Sequence, residues 1–488
     1  MPTGTSPART APGRVPVPPP APGSRSAAAV LAIACAAQFM VILDVSIVNV
    51  ALPSMRAELH LSGAGQQWIV NAYTLGFAGL LLLGGRMADL IGTRRAFLGG
   101  LTVFTLASLA GGFATNGAWL IGARAAQGVG GAVLAPATLT LIMTTFTEPA
   151  ARTRAMGAWS AVMAAGGAAG AVVGGVLTQY AGWRWVLFVN VPLGAVLLAA
   201  ALVCVRAGAV REGGLRRLDL PGAVTVTAGL TSLVYGIIAS ETHGWGSLAV
   251  WGPVAAAVVL LAAFVAVEAR AAHPLVPLAI FRRRTLATAN MVVVAISAAM
   301  FSMWFLLSLY LQQALGYSAV RAGLCFLPGS LAIIVASRIA TRLLGRTGAR
   351  PLLLTGLALS TAGFAWLSLV GGHGSYATDV VAPFVLAAFG TGLATMPTTV
   401  TATSGTAPGE AGLASGLVNT SRQVGGALGL ALLGTIASHT TAARLAAHPG
   451  DVRDALAAGY GRGLLVAAVC TAVAALIGLA LPRRRPAS

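Results

Sequence analysis

The 488-residue chain carries 31 basic side chains, all of them Arg, against 12 acids, for a formal net charge of +19. Only 9% of its residues are charged, 57% are hydrophobic and the mean hydropathy is +0.83; soluble domains are about a quarter charged, so the composition excludes a soluble globular protein and describes one embedded in a lipid bilayer. No aromatic-basic module accompanies the positive charge, which excludes nucleic acid as a partner and leaves anionic lipid headgroups as its counterpart.

Residues 1–26, rich in Pro, Ala and Ser, read as a disordered cytoplasmic tail. Roughly 20 apolar residues cross a bilayer as one helix. About fourteen such runs follow, near 27–52, 67–88, 96–114, 118–145, 155–178, 185–205, 219–240, 249–268, 286–311, 322–343, 351–370, 379–404, 413–438 and 459–481. The expected fold is therefore all-α and polytopic. With the N-terminus inside, about 22 Arg fall in cytoplasmic segments and about 6 outside, with Arg124, Arg338 and Arg422 within spans. That asymmetry places both termini in the cytoplasm. The Arg-rich loops 205–218 and 269–285 bracket one hairpin, and removing it leaves six spans on each side. The division reads as an N-terminal six-helix lobe over 27–206, linker loops with two extra, peripherally packed spans over 207–285, a C-terminal six-helix lobe over 286–482 and a basic cytoplasmic tail over 483–488.

Span one holds the first chemical signal. Asp44 interrupts the apolar run ending in Leu43-Asp44-Val45-Ser46-Ile47-Val48-Asn49-Val50-Ala51-Leu52-Pro53. An ionised acid in hydrocarbon costs at least ~2.5–3.5 kcal/mol, so it faces a partner or a water-filled path and points to ion or proton handling. After span two comes Gly85-Arg86-Met87-Ala88-Asp89-Leu90-Ile91-Gly92-Thr93-Arg94-Arg95. Gly92 lets the backbone reverse. Asp89, beside Arg86 and Arg94, can pair locally or meet the positive end of another helix. The spacing of Arg86, Gly92 and Arg94 recurs in Arg342, Gly348 and Arg350, the mark of an internal repeat between two halves.

In span four, Arg124, Gln127, Gly128, Gly131, Ala135 and Thr138 recur at steps of three and four and form one inward stripe. Arg124 and Asp44 sit at similar depth, roughly 9–12 Å below the outer surface, which permits pairing. Span five carries Gly166, Gly170 and Gly174 at steps of four, with Gly175 adjacent, a helix-packing face that admits close approach. Span nine concentrates Met300, Phe301, Met303, Trp304, Phe305 and Tyr310, plastic and apolar contacts suited to bulky ligands. Span thirteen presents Ser415, Asn419, Arg422, Gly426 and Gly429 along one face, with Gln423 beside it. Cys35, Cys204, Cys325 and Cys470 show no disulfide or metal spacing. No GxxxxGK[ST], HExxH or GxSxG occurs, so the chain has no constellation for nucleotide hydrolysis or for catalysis.

These motifs, in this order, resemble the major facilitator superfamily, specifically fourteen-span drug:proton antiporters of the multidrug and antibiotic exporter type. Leu43–Pro53 is similar to the family's first-helix motif, Gly85–Arg95 to its signature loop, Leu120–Ala132 to its proton-coupling motif and Gly166–Gly175 to its antiporter motif. Trp183-Arg184-Trp185, Asn190-Val191-Pro192, Tyr310-Leu311-Gln312 and Ser421-Arg422-Gln423-Val424-Gly425-Gly426 also look like family patterns. Two features depart: Ala171 stands where the family has Pro after its second Gly, and span ten carries no acid. The resemblance implies a plasma-membrane monomer without cofactor, drawing on the proton gradient to export a small organic compound. Asp44, Arg124 and Gln127 would couple the proton, while Gly85, Arg86, Asp89, Gly92, Arg94 and Arg95 would form a conformational latch against span thirteen near Gly412. Substrate would lie between spans one, two, four and five and spans nine, ten, twelve and thirteen, with Asn49, Thr138, Met300, Trp304, Phe305, Asn419, Arg422 and Gln423 as cavity candidates. A metabolite facilitator or importer on the same fold is the alternative, and would bury more polar groups in both lobes.

Overall fold

The computed structural model describes residues 25–205, 219–272, 274–403 and 411–481, excluding the side chains at positions 25, 26, 89, 164, 411 and 412. Most of the N-terminal tail, the loop 206–218 and the basic end 483–488 lie outside the described residues, as does the side chain of Asp89.

The chain runs α1 (Arg25–Glu58), α2 (Gly63–Leu90), α3 (Thr93–Gly112), α4 (Gly117–Thr145), α5 (Pro149–Tyr180), α6 (Arg184–Phe188), α7 (Asn190–Cys204), α8 (Leu220–His243), α9 (Leu248–Arg270), α10 (Arg284–Leu309), α11 (Ala319–Cys325), α12 (Leu327–Thr347), α13 (Ala349–Leu367), α14 (Val381–Thr403), α15 (Ala411–Ala447) and α16 (Val452–Gly478). Thirteen helical stretches among the described residues are long and apolar enough to cross a bilayer, α6–α7 and α11–α12 each making one. The nineteen-residue α13 carries Arg350 in its first turn and completes the count by topology, since it returns the chain to the opposite end.

Local chemistry sets the boundaries. The side chains of Ser62, Asn116, Asp219, Ser247 and Ser318 each accept a backbone N–H from the first turn of the following helix, satisfying donors that the helix itself cannot. Gly92 (φ 90°) and Gly348 (φ 81°) start α3 and α13 in a backbone region that side chains resist. The connections alternate between two ends of the bundle. We call the end with the α2–α3 and α4–α5 turns the near end, and that with the α1–α2 and α5–α6 turns the far end.

Helices α1–α7 pack on one another, as do α10–α16, which gives the two six-span lobes. The extra hairpin corrects one expectation. Only α9 is peripheral, with Val250, Ala257 and Glu268 as its buried residues. Helix α8 instead lies against both α2 and α15, one from each lobe. Small residues allow this: a Cβ on Gly79 of α2 would fall 2.1 Å from Thr227 Oγ1 of α8.

Candidate functional site

Asp44 is fully buried, and three donors from two helices converge on its carboxylate. Arg124 Nη1 donates to Oδ2 at 2.6 Å, Gln127 Nε2 to Oδ1 at 2.7 Å and Asn190 Nδ2 to Oδ1 at 2.9 Å. Arg124 and Gln127 sit one turn apart on α4, so both reach the same atom group. Arg124 Nη1 also donates to Gln127 Oε1 at 2.7 Å, which fixes the Gln amide with its NH2 toward Asp44. The guanidinium lies 4.4 Å from the centre of the Tyr73 ring, a cation–π contact from α2. Asn190, the first residue of α7, donates to Ser108 Oγ of α3 at 3.0 Å, and Ser108 donates to Leu187 O at 2.8 Å. One carboxylate thus ties together α1, α2, α3, α4 and α7.

A buried pair with its remaining valences satisfied persists, but removing one partner costs about 3–5 kcal/mol. Protonating Asp44 turns an acceptor of three bonds into a neutral group and leaves Arg124 without its counter-charge. The sequence spacing brings Asp44, Arg124 and Gln127 together, as the structure does; Asn190, Ser108 and Tyr73 join them only through tertiary packing.

Five residues beyond Asp44, α1 touches the other lobe. Pro53 lacks an N–H, which frees the carbonyl of Asn49, its partner four residues back. Ser308 Oγ of α10 donates to that carbonyl at 2.9 Å, and Gln312 Nε2 donates to Val50 O at 3.1 Å. A proline in the first helix thus makes a hydrogen-bonding seam between lobes.

The glycines of α5 divide by partner. A Cβ on Gly166, Gly170 or Gly174 would press on Ile42, Ser46 or Ile47 of α1, so the regular stripe packs within its own lobe. Gly175 faces the other lobe, where a Cβ would fall 2.5 Å from Ala319 O, and Gly323 of α11 meets Ala171 O at 2.3 Å in the same way. Val320 N donates to Gln179 Oε1 at 3.2 Å beside them. Ala171, at the position of departure from the resembled motif, is therefore part of the seam.

Among the described residues of the expected latch, Arg94, Arg86 and Gly85 meet different elements. Arg94 Nη2 donates to Leu202 O at 2.7 Å at the C-terminal end of α7, and the repeat position Arg350 donates to Leu479 O at 2.6 Å just past α16. Each lobe uses its second-helix loop to hold its own sixth span through the negative end of that helix. Arg86 donates to Pro274 O in the segment after α9, and Arg95 is exposed. Gly85 is half-buried, with Pro136 of α4 in ordinary contact distance. Arg94 is thus committed to α7; the side chain of Asp89 lies outside the described residues. Among other span charges, Arg338 is exposed on α12.

The cavity candidates separate in the same way. Thr138 is wholly buried and donates to Gln38 Oε1 and Ala135 O, so it is spent on packing α4 to α1. Phe305 is 3% exposed within the main apolar core. Neither faces open space. Met300, Asn49, Asn419 and Arg422 are half-buried, and Gln423 is nearly buried. Asn49 Oδ1 has no partner among the described residues. Half-buried Trp304 stacks on Phe326 at 4.8 Å and meets Phe384 edge-on at 6.1 Å, an aromatic group that the span-nine sequence half discloses and that Phe326, at the junction of α11 and α12, and Phe384 of α14 complete.

A model of the Major Facilitator Superfamily matches residues 34–430. The chain is 48% identical to the cephamycin export protein CmcT of Amycolatopsis lactamdurans over 86% of its own length and 88% of that protein. It is 43% identical to the puromycin resistance protein pur8 of Streptomyces alboniger, over 88% and 86% of the two chains. It is 35% identical to the lincomycin resistance protein of Streptomyces lincolnensis, over 93% and 92%. In fold it is similar to a bacterial homologue of the human lysosomal transporter Spinster in its inward-facing, occupied conformation. That likeness has a TM-score of 0.68 at 16% identity, covering 94% of this chain and 97% of that one.

Proposed function

The chain belongs to the Major Facilitator Superfamily, and on that premise we propose that it exports an antibiotic-type organic compound across the bacterial plasma membrane in exchange for protons. The observation that carries the reading is the buried Asp44 network. A carboxylate gathered by Arg124, Gln127 and Asn190, five residues from the seam where α1 meets the other lobe, can link proton occupancy to lobe position. In its ionised form Asp44 holds α1 to α4 and α7. A proton removes the attraction, frees α1 to turn and loads the Asn49–Ser308 and Val50–Gln312 bonds, which biases the equilibrium between lobe arrangements.

The substrate would lie between the lobes, against Trp304 and Met300 on one wall and Asn419, Arg422 and Gln423 on another. Among the described residues Arg422 has no hydrogen-bond or ion-pair partner, so a compound with an acidic group would gain from it. The named export and resistance proteins that resemble this chain along most of its length support an antibiotic as the cargo. Positive-inside topology supports the near end as the cytoplasmic one, with both termini there. No cofactor is called for, because the energy resides in the gradient, and one chain contains both lobes, which suits a monomer.

The test uses sealed vesicles of purified protein, with a cephamycin and puromycin as probes and a pH difference imposed across the membrane. The reading expects accumulation of a probe in the more acidic compartment and its collapse with the gradient. Equal entry in both directions without regard to pH would establish a facilitator instead.

A further inference from the structure

Two acids of the extra hairpin meet at the near end, away from Asp44. Asp219 is 8% exposed and Glu268 is 3% exposed. Each has one oxygen in use: Asp219 Oδ1 accepts Gly222 N at 2.9 Å as the cap of α8, and Glu268 Oε2 accepts Val276 N at 3.0 Å. The other two oxygens, Asp219 Oδ2 and Glu268 Oε1, are buried without a donor among the described residues. They converge on each other across Gly222, where a Cβ would lie 2.7 Å from the first and 2.9 Å from the second, and the two side chains are within hydrogen-bonding reach. Two acceptors turned toward one another in a desolvated place lack only a hydrogen.

We propose that Asp219 and Glu268 form a second proton-binding site, in which a single proton is shared between Asp219 Oδ2 and Glu268 Oε1. The proton comes from the aqueous phase at the near end; no bond between heavy atoms changes, and its loss leaves two like charges side by side, an arrangement that carboxylate pairs avoid by retaining one proton. Among the described residues, the charged group that faces the pair from a neighbouring helix is Arg86 of α2, near Glu268; Arg270, Arg282 and Arg283 on the hairpin side are exposed.

The site has a mechanical consequence. Glu268 and Arg86 hold the same strap from two sides, through Val276 N and Pro274 O. The strap's Leu275, Val276 and Ile280 are buried with Leu83 of α2, Ala223 of α8, Leu286 of α10 and Ala414 and Leu417 of α15. It therefore joins the hairpin to both lobes. Rising pH, by removing the shared proton, would repel Glu268 from Asp219 and loosen the strap.

Infrared pH titration of the full chain in lipid tests this directly, following the C=O stretch of protonated carboxyl groups. One titrating component should vanish in Asp219→Asn and equally in Glu268→Gln, with no further loss in the double variant, because one proton serves both. It should persist in Asp44→Asn, so its presence is decided separately from any role of Asp44 in export. Gly222→Ala, which pushes the oxygens apart, should also remove it. Additive losses, or no loss in either amide variant, would overturn the shared site. As a second measurement, hydrogen exchange at Val276, corrected for its intrinsic rate, should speed up with rising pH in the native chain and not in Glu268→Gln. The same pH response in both would contradict the link to the strap.

Discussion

Replacing Asn190 by Leu keeps the side chain's shape while deleting the amide that donates to Asp44 Oδ1 at 2.9 Å. Ser108, which accepts from the same amide at 3.0 Å, retains its own bond to Leu187 O, so no donor is orphaned. A hydrogen bond to a charged group contributes about 1.5–3 kcal/mol. The lost bond is one of three that tie the carboxylate of α1 to α4 and α7, so its removal loosens that hold by this amount and should alter the pH profile of transport. Arg124 and Gln127 still hold the other positions, so export should survive at its normal maximal rate. The assay is the initial rate of probe transport in vesicles across a pH series, with protein amount measured in each preparation. A profile superimposable on that of the unaltered chain would refute the reasoning.

The two kinds of glycine on α5 should respond differently. Gly170→Val drives a side chain into Ser46 and Leu43 within the lobe, an overpacking of about 1–3 kcal/mol, and should lower the yield of folded protein. Gly175→Val should leave yield near normal but hold the far end apart from Ala319, read as lost crosslinking between cysteines placed at Gln179 and Val320; equal yield losses would show the division by partner to be wrong. Ser308→Ala removes the bond to the Asn49 carbonyl and should weaken far-end closure by about 0.5–1.5 kcal/mol, or roughly 2–13-fold in the equilibrium read by the same cysteine pair. Unchanged crosslinking would remove Pro53 and Ser308 from the seam.

The spans were legible because a bilayer demands long apolar runs, and a charge inside one is conspicuous for the same reason. Asp44, Arg124 and Gln127 announce themselves in this way, and helical spacing alone puts the latter two on one face. Asn190 carried the same signal, a polar side chain at the start of an apolar run, but its partner is on α1, and helical periodicity assigns faces without assigning neighbours. The glycine stripe shows the limit well: its spacing reports close packing, yet the stripe serves α1 while the irregular Gly175 serves the other lobe. Thr138 follows the inward stripe of α4 and so looked available, but inward for that helix is the α1 contact. The internal repeat had physical content beyond its spacing, since Arg94 and Arg350 both reach the end of their lobe's sixth span. The placement of α8 between lobes could not be read from hydropathy, which makes a wedged helix and a peripheral one look alike.

The central claim is that Asp44 exchanges a proton to drive the transport cycle, and Asp44→Asn tests it most directly. The amide keeps the size of the side chain and can still bond Arg124 through its oxygen, but it cannot titrate. In vesicles with matched protein content, accumulation of probe against its gradient under an imposed pH difference should fall to the level of empty vesicles, while probe binding at equilibrium is retained. Undiminished gradient-driven accumulation in the variant would contradict the account.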